Sequence, residues 1–331
     1  MKRTVMMSAV AALVLGGAVM SGSTATVCDG FLPPNDLNIP VGSADDKGIV
    51  QEQFNAVLDS VERLYAPVVA AQGKVLEVRR LWTDGTVNAS AMQQGKRYII
   101  NMYGGLARHE TITMDGFALV ACHEMGHHLG GAPKLSGWSG SWASNEGQAD
   151  YYANLKCLRR VFSDAATSAF SRSASGDALA EKACEQTFQD PKDSVLCKRN
   201  AMAGKSVAAL FRALRNETVE PNFDTPDPAV VGSMFDKHPG TQCRMDTYLQ
   251  GSLCTQPVSA GLSDTNPVTG TCTRSGGFST GFRPRCWYKP ASAEELTPPV
   301  PGLAVFGAAR GLSAPGPAFS VLQSENPWQG F

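Results

Sequence analysis

Charge is scarce in this chain. Only 18% of its 331 residues are Asp, Glu, Lys or Arg, and 29 basic residues nearly balance 30 acidic ones. With no excess of positive charge there is no electrostatic footprint for a phosphate backbone, so nucleic acid is excluded as a partner. The 43% hydrophobic content excludes a wholly disordered chain. Long apolar runs are missing except at the extreme N-terminus, which excludes a polytopic membrane protein. None of the nine cysteines has the C-x-x-C spacing of a cysteine-based zinc site. Internal repeats are absent. What is left is a globular protein, and its length predicts one large domain or one domain with appendages.

The one apolar run has a specific layout. Lys2 and Arg3 precede Val5 to Met20, and small residues follow through Ala25, the three-part pattern of a secretory signal. At about 16 residues the run is short for a spanning helix, which needs about 20. Residues 1–25 are therefore read as a signal peptide cut after Ala25, leaving no stable membrane span and a periplasmic or extracellular protein. Cys28 follows Val27 rather than a small residue, which argues against a lipid anchor there. Export places the nine cysteines where disulfides persist, and the odd count leaves one unpaired within the chain. The spacings 184/197, 243/254 and 272/286 allow three local loops, but spacing does not choose among the pairings.

Residues 26–46, with Pro33, Pro34, Pro40 and Gly42 and no periodicity, read as a lead-in segment. Val50, Phe54, Val57, Leu58, Val61 and Leu64 form a helical stripe that Pro67 is expected to end. Val75–Trp82, Thr86–Met92 and Arg97–Tyr103 read as extended segments, with Asp84-Gly85 and Gln94-Gly95 as turns. Thr113 is a plausible cap for a helix that Gly130 and Gly131 stop, and Ser144 or Asn145 for a second helix from Glu146 to about Phe162. Further helices are predicted at Asp177–Phe188 and Lys205–Leu214. Ten of the twenty prolines fall in the last 75 residues, so residues 256–331 are read as a loop-rich, partly disulfide-pinned extension to a domain over 47–255.

Histidine is rare, yet three of the five lie in His123-Glu124-Met125-Gly126-His127-His128. An accidental H-E-x-x-H is expected roughly 0.003 times in a chain of this composition. Residues four apart stack on one helix face. His123 and His127 can thus offer two imidazoles to one tetrahedral Zn²⁺, with Glu124 beside it to take a proton from an activated water. A catalytic zinc usually needs a third protein ligand. Glu146, at the start of the second helix in Asn145-Glu146-Gly147-Gln148-Ala149-Asp150, can be brought back by the glycine-rich loop containing Pro133, Gly137 and Gly140. Asp150, one turn later, can accept the N–H of a ligating imidazole and fix its tautomer.

His-Glu-x-x-His followed by Asn-Glu-Gly-x-Ala-Asp, with eighteen residues between His127 and Glu146, resembles the gluzincin zinc metallopeptidases, in their thermolysin and aminopeptidase branches. The resemblance implies one Zn²⁺ per chain held by His123, His127 and Glu146, Glu124 as general base, and Asp150 as the carboxylate behind a ligand. It covers residues 95–160 well. His238-Pro239 followed by Arg244 is similar to the end of the HtpX and CAAX-prenyl-protease group, where the histidine lies in the active site; that group carries membrane helices and a longer spacing, both lacking here. His238 is accordingly taken as an oxyanion donor, with Arg244 as its support. The implied fold is α+β and zincin-like, a small mixed sheet packed on two ligand-bearing helices. By the same resemblance Arg97–Tyr103 would be the sheet edge on which a peptide lies.

Blander readings stand beside these. His128 is off the ligand face and is expected in a polar supporting or surface position. Tyr151 and Tyr152 could be oxyanion donors but read first as wall residues. Cys122 sits about 100° around the helix from His123 and reads as core or disulfide, and His109 as surface. The expected function is an exported zinc peptidase acting on peptide or protein substrates. The alternative is a secreted binding or structural protein with a closed, non-catalytic zinc site completed by His128 or a cysteine.

Overall fold

The computed structural model describes residues 26–27, 30–136, 142–170 and 176–291. The signal segment 1–25, Cys28, the part of the glycine-rich loop that holds Gly137 and Gly140, and the tail 292–331 lie outside the described residues. The architecture is a mixed α/β one, built on a four-stranded sheet in the order β1-β3-β4-β2.

After strand β1 (Thr26–Val27) the chain runs through irregular structure into helix α1 (Gln51–Ala70). The Gln53 side chain accepts the Val50 N–H at 3.0 Å, closing the helix start. The apolar stripe of α1 is buried through Phe54, Val57, Leu58, Val61, Tyr65 and Val69. Pro67 does not end the helix: it lies inside the last turn, with Ala71 still bonded to its carbonyl at 3.0 Å. Strands β2 (Val75–Leu81), β3 (Ala89–Gln94) and β4 (Arg97–Tyr103) follow. The β3–β4 pair is antiparallel across the Gln94-Gly95 turn, and β2 joins β4 in parallel, with Val75 opposite Arg97.

This order corrects one expectation. Strand β4 is interior, hydrogen-bonded to a strand on each side, and Tyr98 to Met102 are all buried. Its run of apolar residues signals a strand covered on both sides, not an edge. The strand next to the outer boundary is β3, and the lead-in chain lies antiparallel along it.

Helices α2 (Gly104–Arg108) and α3 (Met114–Leu129) follow the sheet. The Thr113 side chain caps α3 by accepting the Gly116 N–H at 3.0 Å. Helix α3 is central. It packs with α1 on one sheet face, around Ile100, Met102, Phe54, Phe117 and Val120, and nearly all of it is buried. Asn145 caps α4 (Glu146–Tyr152) by accepting the Gln148 N–H at 2.9 Å. The same helical rod continues through a π-helical stretch, Ala153–Cys157, into α5 (Leu158–Phe162). Helix α6 (Ala178–Thr187) is capped by Asp177. Helix α7 (Pro191–Leu214) begins fourteen residues before the stretch predicted from Lys205, with Asp190 as cap and Pro191 in its first turn.

Helix α8 (Thr241–Leu253) is absent from the sequence reading. All of it except Gln242 is buried, so it shows no apolar stripe. Most of its buried polar groups find partners inside the protein. Trp287 donates Nε1–H to Thr247 Oγ1 at 2.9 Å, Gly281 donates its N–H to Gln250 Oε1 at 3.0 Å, and Ser252 receives Asn154 Nδ2 at 3.0 Å.

The disulfides are Cys122–Cys157, Cys184–Cys197, Cys243–Cys286 and Cys254–Cys272. The second is one of the local loops that spacing allowed; the last two exchange the partners of the other two loops, one nested inside the other, and join α8 and the residue that follows it to residues 256–291. That segment has no regular structure but is packed: Trp287 is fully buried and forms a cluster with Tyr151, Leu155 and Tyr288. Trp287 lies against Gly147, where a Cβ would stand 2.1 Å from its Cδ2. Gly147→Ala should therefore cost about 1–3 kcal/mol by overpacking, read as a lower melting temperature. Trp287→Leu in the same chain should recover part of that loss, with a coupling above about 0.5 kcal/mol; strictly additive losses would refute the contact.

Candidate metal centre

Two glycines set the approach of the site's helices. In α3, Gly126 lies between His123 and His127, and a Cβ there would come within 2.8 Å of the Ala149 carbonyl oxygen. The missing side chain lets α4 cross close to the motif turn, and Gly147 lets Trp287 back α4 from the other side. The crossing brings Glu146 over the two histidines. Donor atoms of His123, His127 and Glu146 lie within 4.8 Å of one another, all buried. Glu146 Oε2 is 3.3 Å from His123 Nε2, and Oε1 is 3.6 Å from His127 Nε2.

Each imidazole is oriented from behind. His123 Nδ1 lies 2.7 Å from Asp150 Oδ1, and His127 Nδ1 lies 2.8 Å from the Ser144 carbonyl oxygen. A carbonyl only accepts, so His127 carries its proton on Nδ1 and turns the Nε2 lone pair toward the cluster. His123 Nε2, His127 Nε2, Glu146 Oε2 and both oxygens of Glu124 are buried without a hydrogen bond. Leaving so many polar atoms unpaired in one place would cost several kcal/mol. Two imidazole nitrogens and a carboxylate converging on one point fit a divalent metal ion, which would satisfy them.

Asp150 is the hub behind the cluster. Its Oδ1 accepts from His123, from Arg244 Nη2 at 2.7 Å and from Tyr248 OH at 3.1 Å, and the group is fully buried. Arg244 thus braces Asp150 rather than His238, the role expected for it; it also donates to Phe31 O at 3.1 Å and Tyr248 OH at 3.2 Å and lies 3.9 Å from Glu146 Oε2. Tyr248 was not singled out in the sequence, because the helix that carries it was not recognised there.

Burial and charge act against each other. Burial alone would lower His123, but Asp150 and Glu146 outweigh it and raise the imidazole to about 9. For His127 burial wins and lowers it to about 4. Burial pushes Glu124 up to about 8, with His123 opposing. Glu146 resists burial and stays well below the usual carboxylate range because His127 and His123 face it.

The remaining residues fall into place around this. His238 is part-buried, with Nε2 at 3.6 Å from Glu146 Oε2 and 2.7 Å from the Gly30 carbonyl oxygen. His128 is not at the surface: it stacks between Tyr98 and Trp142 and bonds the Ile99 carbonyl at 3.2 Å. Tyr151 donates its hydroxyl to Gly281 O, Tyr152 bonds Tyr65, and Cys122 is in a disulfide. None of these turns toward the metal ligands. His109 is half-buried and bonds Thr111 Oγ1 at 2.9 Å.

Replacing Asp150 by Asn keeps the shape but removes the charge behind His123. Metal affinity should fall by about 10 to 100-fold, measured by competition with a chromophoric chelator. Glu146→Ala should lower it further, because a ligand itself is lost; full metal content at limiting Zn²⁺ would show that another residue is the third ligand.

Comparison with protein-family models, with curated proteins and with solved structures finds no match to this chain. The site is therefore described by its own chemistry. It is a buried His123-His127-Glu146 group of the kind an H-E-x-x-H motif builds, suited to a metal ion. Four disulfides, and no helix among the described residues long and apolar enough to cross a membrane, are compatible with export.

Proposed function

We propose that this chain is an exported zinc-dependent peptidase of the gluzincin type with a zincin-like fold. One observation carries the reading: Glu124, fully buried and without a hydrogen bond, stands beside three metal-ligand side chains whose ligating atoms are equally unpaired. A structural site needs four ligands and no base. Two kinds of group that could have closed such a site are committed elsewhere, His128 to Ile99 O and the eight described cysteines to disulfides.

Zn²⁺ held by His123, His127 and Glu146 would supply Lewis acidity toward a peptide carbonyl and toward water. The protein's own part is proton handling and positioning. Glu124 takes the proton of the attacking water and delivers it to the departing amine; positive charge at the cluster favours the ionised form this requires. His238 Nε2, within 3.6 Å of Glu146, donates to the oxygen that gains charge. Asp150, fixed by Arg244 and Tyr248, keeps His123 in one orientation throughout.

Glu124→Gln should retain about one zinc per chain and lose hydrolysis of a denatured protein substrate by at least about 100-fold, since the base is gone and the ligands remain. Wild-type hydrolysis in that variant would refute the mechanism. His238→Ala should lower kcat by roughly 100 to 1,000-fold with little change in KM, the mark of a contact made only in the transition state. Loss of zinc in the same variant would instead make His238 a fourth ligand and favour the closed, non-catalytic site.

A further inference from the structure

The lead-in chain does not merely precede the domain; it crosses the metal centre. It runs antiparallel to the outer side of β3, with Thr26 opposite Gln93 and Val27 opposite Met92, and Phe31 N–H donates to Ala89 O at 2.8 Å. At the site its two successive carbonyls are both gripped. Gly30 O accepts from His238 Nε2 at 2.7 Å, and Phe31 O from Arg244 Nη1 at 3.1 Å. The Phe31 ring stands edge-on to His123 with centroids 4.8 Å apart, touches Phe211 at 5.3 Å, and lies under the Arg244 guanidinium at 4.6 Å. Phe31 and Leu32 are fully buried.

A peptide that binds by adding a strand to a sheet edge makes main-chain bonds of this kind along the edge, with side chains seated in the protein. His238 Nε2 and Arg244 Nη1 both need acceptors at this point, since a buried donor left unpaired is costly. Here the chain's own backbone supplies them. We infer that Gly30-Phe31-Leu32 occupies the substrate track as an intramolecular stand-in. The site is held shut until this segment is displaced, and the substrate it admits is an extended peptide with a bulky apolar residue directly after the carbonyl that His238 grips. The inference rests on the peptidase reading for its chemistry and on the peptide track alone for its geometry. A short tether gives the segment an effective concentration on the order of mM, so a free peptide competes poorly with it.

The test uses full chains loaded with zinc and carrying Glu124→Gln, so that bound peptide survives. The probe is a fluorescent acetylated peptide of residues 26–35 with serine in place of cysteine, followed by anisotropy. Phe31→Ala should bind it about tenfold or more tighter than the chain with Phe31, and Phe31→Leu, which keeps the bulk, no tighter. As a check that leaves Phe31 in place, a specific cleavage site is placed in the exposed stretch 36–38, between the gripped residues and the Ile39 anchor, and cut after folding. The released segment should wash away and leave the probe bound. Equal binding before and after the cut, or in all three chains, overturns the inference. With Glu124 restored, hydrolysis without any difference in probe binding leaves the peptidase and removes the stand-in. Probe binding that differs as expected, with no hydrolysis by any chain, keeps the peptide track and removes the peptidase.

Discussion

The structure around the metal centre hangs on one buried oxygen. Asp150 Oδ1 accepts hydrogen bonds from His123 on α3 and from Arg244 and Tyr248 on α8, while Asp150 itself sits on α4. A carboxylate wholly removed from water is tolerable only if its donors are all in place, so three helices far apart in sequence are fixed together by one group. Arg244 extends the constraint to the lead-in chain through Phe31 O. The disulfides reinforce this arrangement from outside it: Cys122–Cys157 joins α3 to the π-helical stretch after α4, and Cys243–Cys286 joins the start of α8 to the segment carrying Trp287.

Why α8 can be both polar and buried follows from the same network. Arg244, Asp246, Thr247, Gln250 and Ser252 are almost inaccessible to water, yet each has a partner. Asp246 is the most strained electrostatically: burial raises its carboxyl to about 7, against the opposing hydrogen bond from the Asp227 N–H. Met245, Leu249 and Leu253 anchor the helix in an apolar cluster, and directional bonds together with the flanking disulfides hold its polar residues. Hydrogen-bonded networks of this kind favour one arrangement, and a cluster of converging side chains depends on that uniqueness.

What could be read from the sequence divides along the same line. His123, Glu124 and His127 were legible because a motif at fixed helical spacing carries its own geometry, Glu146 and Asp150 through the downstream motif that resembles gluzincins, and the caps Thr113 and Ser144 or Asn145, of which Asn145 is the one used, because capping is local chemistry. Strand β4 was found to the residue, but its interior position was not, since pairing is a property of the sheet and not of the strand. Helix α8 was invisible because burial on all sides leaves no periodicity, and Tyr248 was lost with it. Arg244 was noticed for its place after His238-Pro239, yet its partner is Asp150, across 94 residues of chain. Pairings such as Cys243–Cys286 depend on how residues 256–291 fold back, which no spacing reveals. The Pro-rich lead-in was legible as irregular chain, and nothing in its composition announces that Gly30 and Phe31 end up against the histidines.

That last placement joins stability to function. Phe31 belongs to the main core together with Phe54, Phe117 and Phe211, so the residue that fills the space beside His123 also contributes to holding the sheet and helices together. Arg108 tightens the same lead-in further along, donating to the carbonyls of Ile39, Trp82 and Asp84 at 2.8, 2.7 and 3.0 Å. The anchor at Ile39 and the grip at Gly30 and Phe31 are separated by Pro33, Pro34 and exposed residues around them. Displacing the near end therefore need not break the far one: the buried arginine keeps the chain attached while three residues move. A segment bound this way has a local opening free energy below that of global unfolding, which is the condition for a core residue to serve also as a removable occupant of the site.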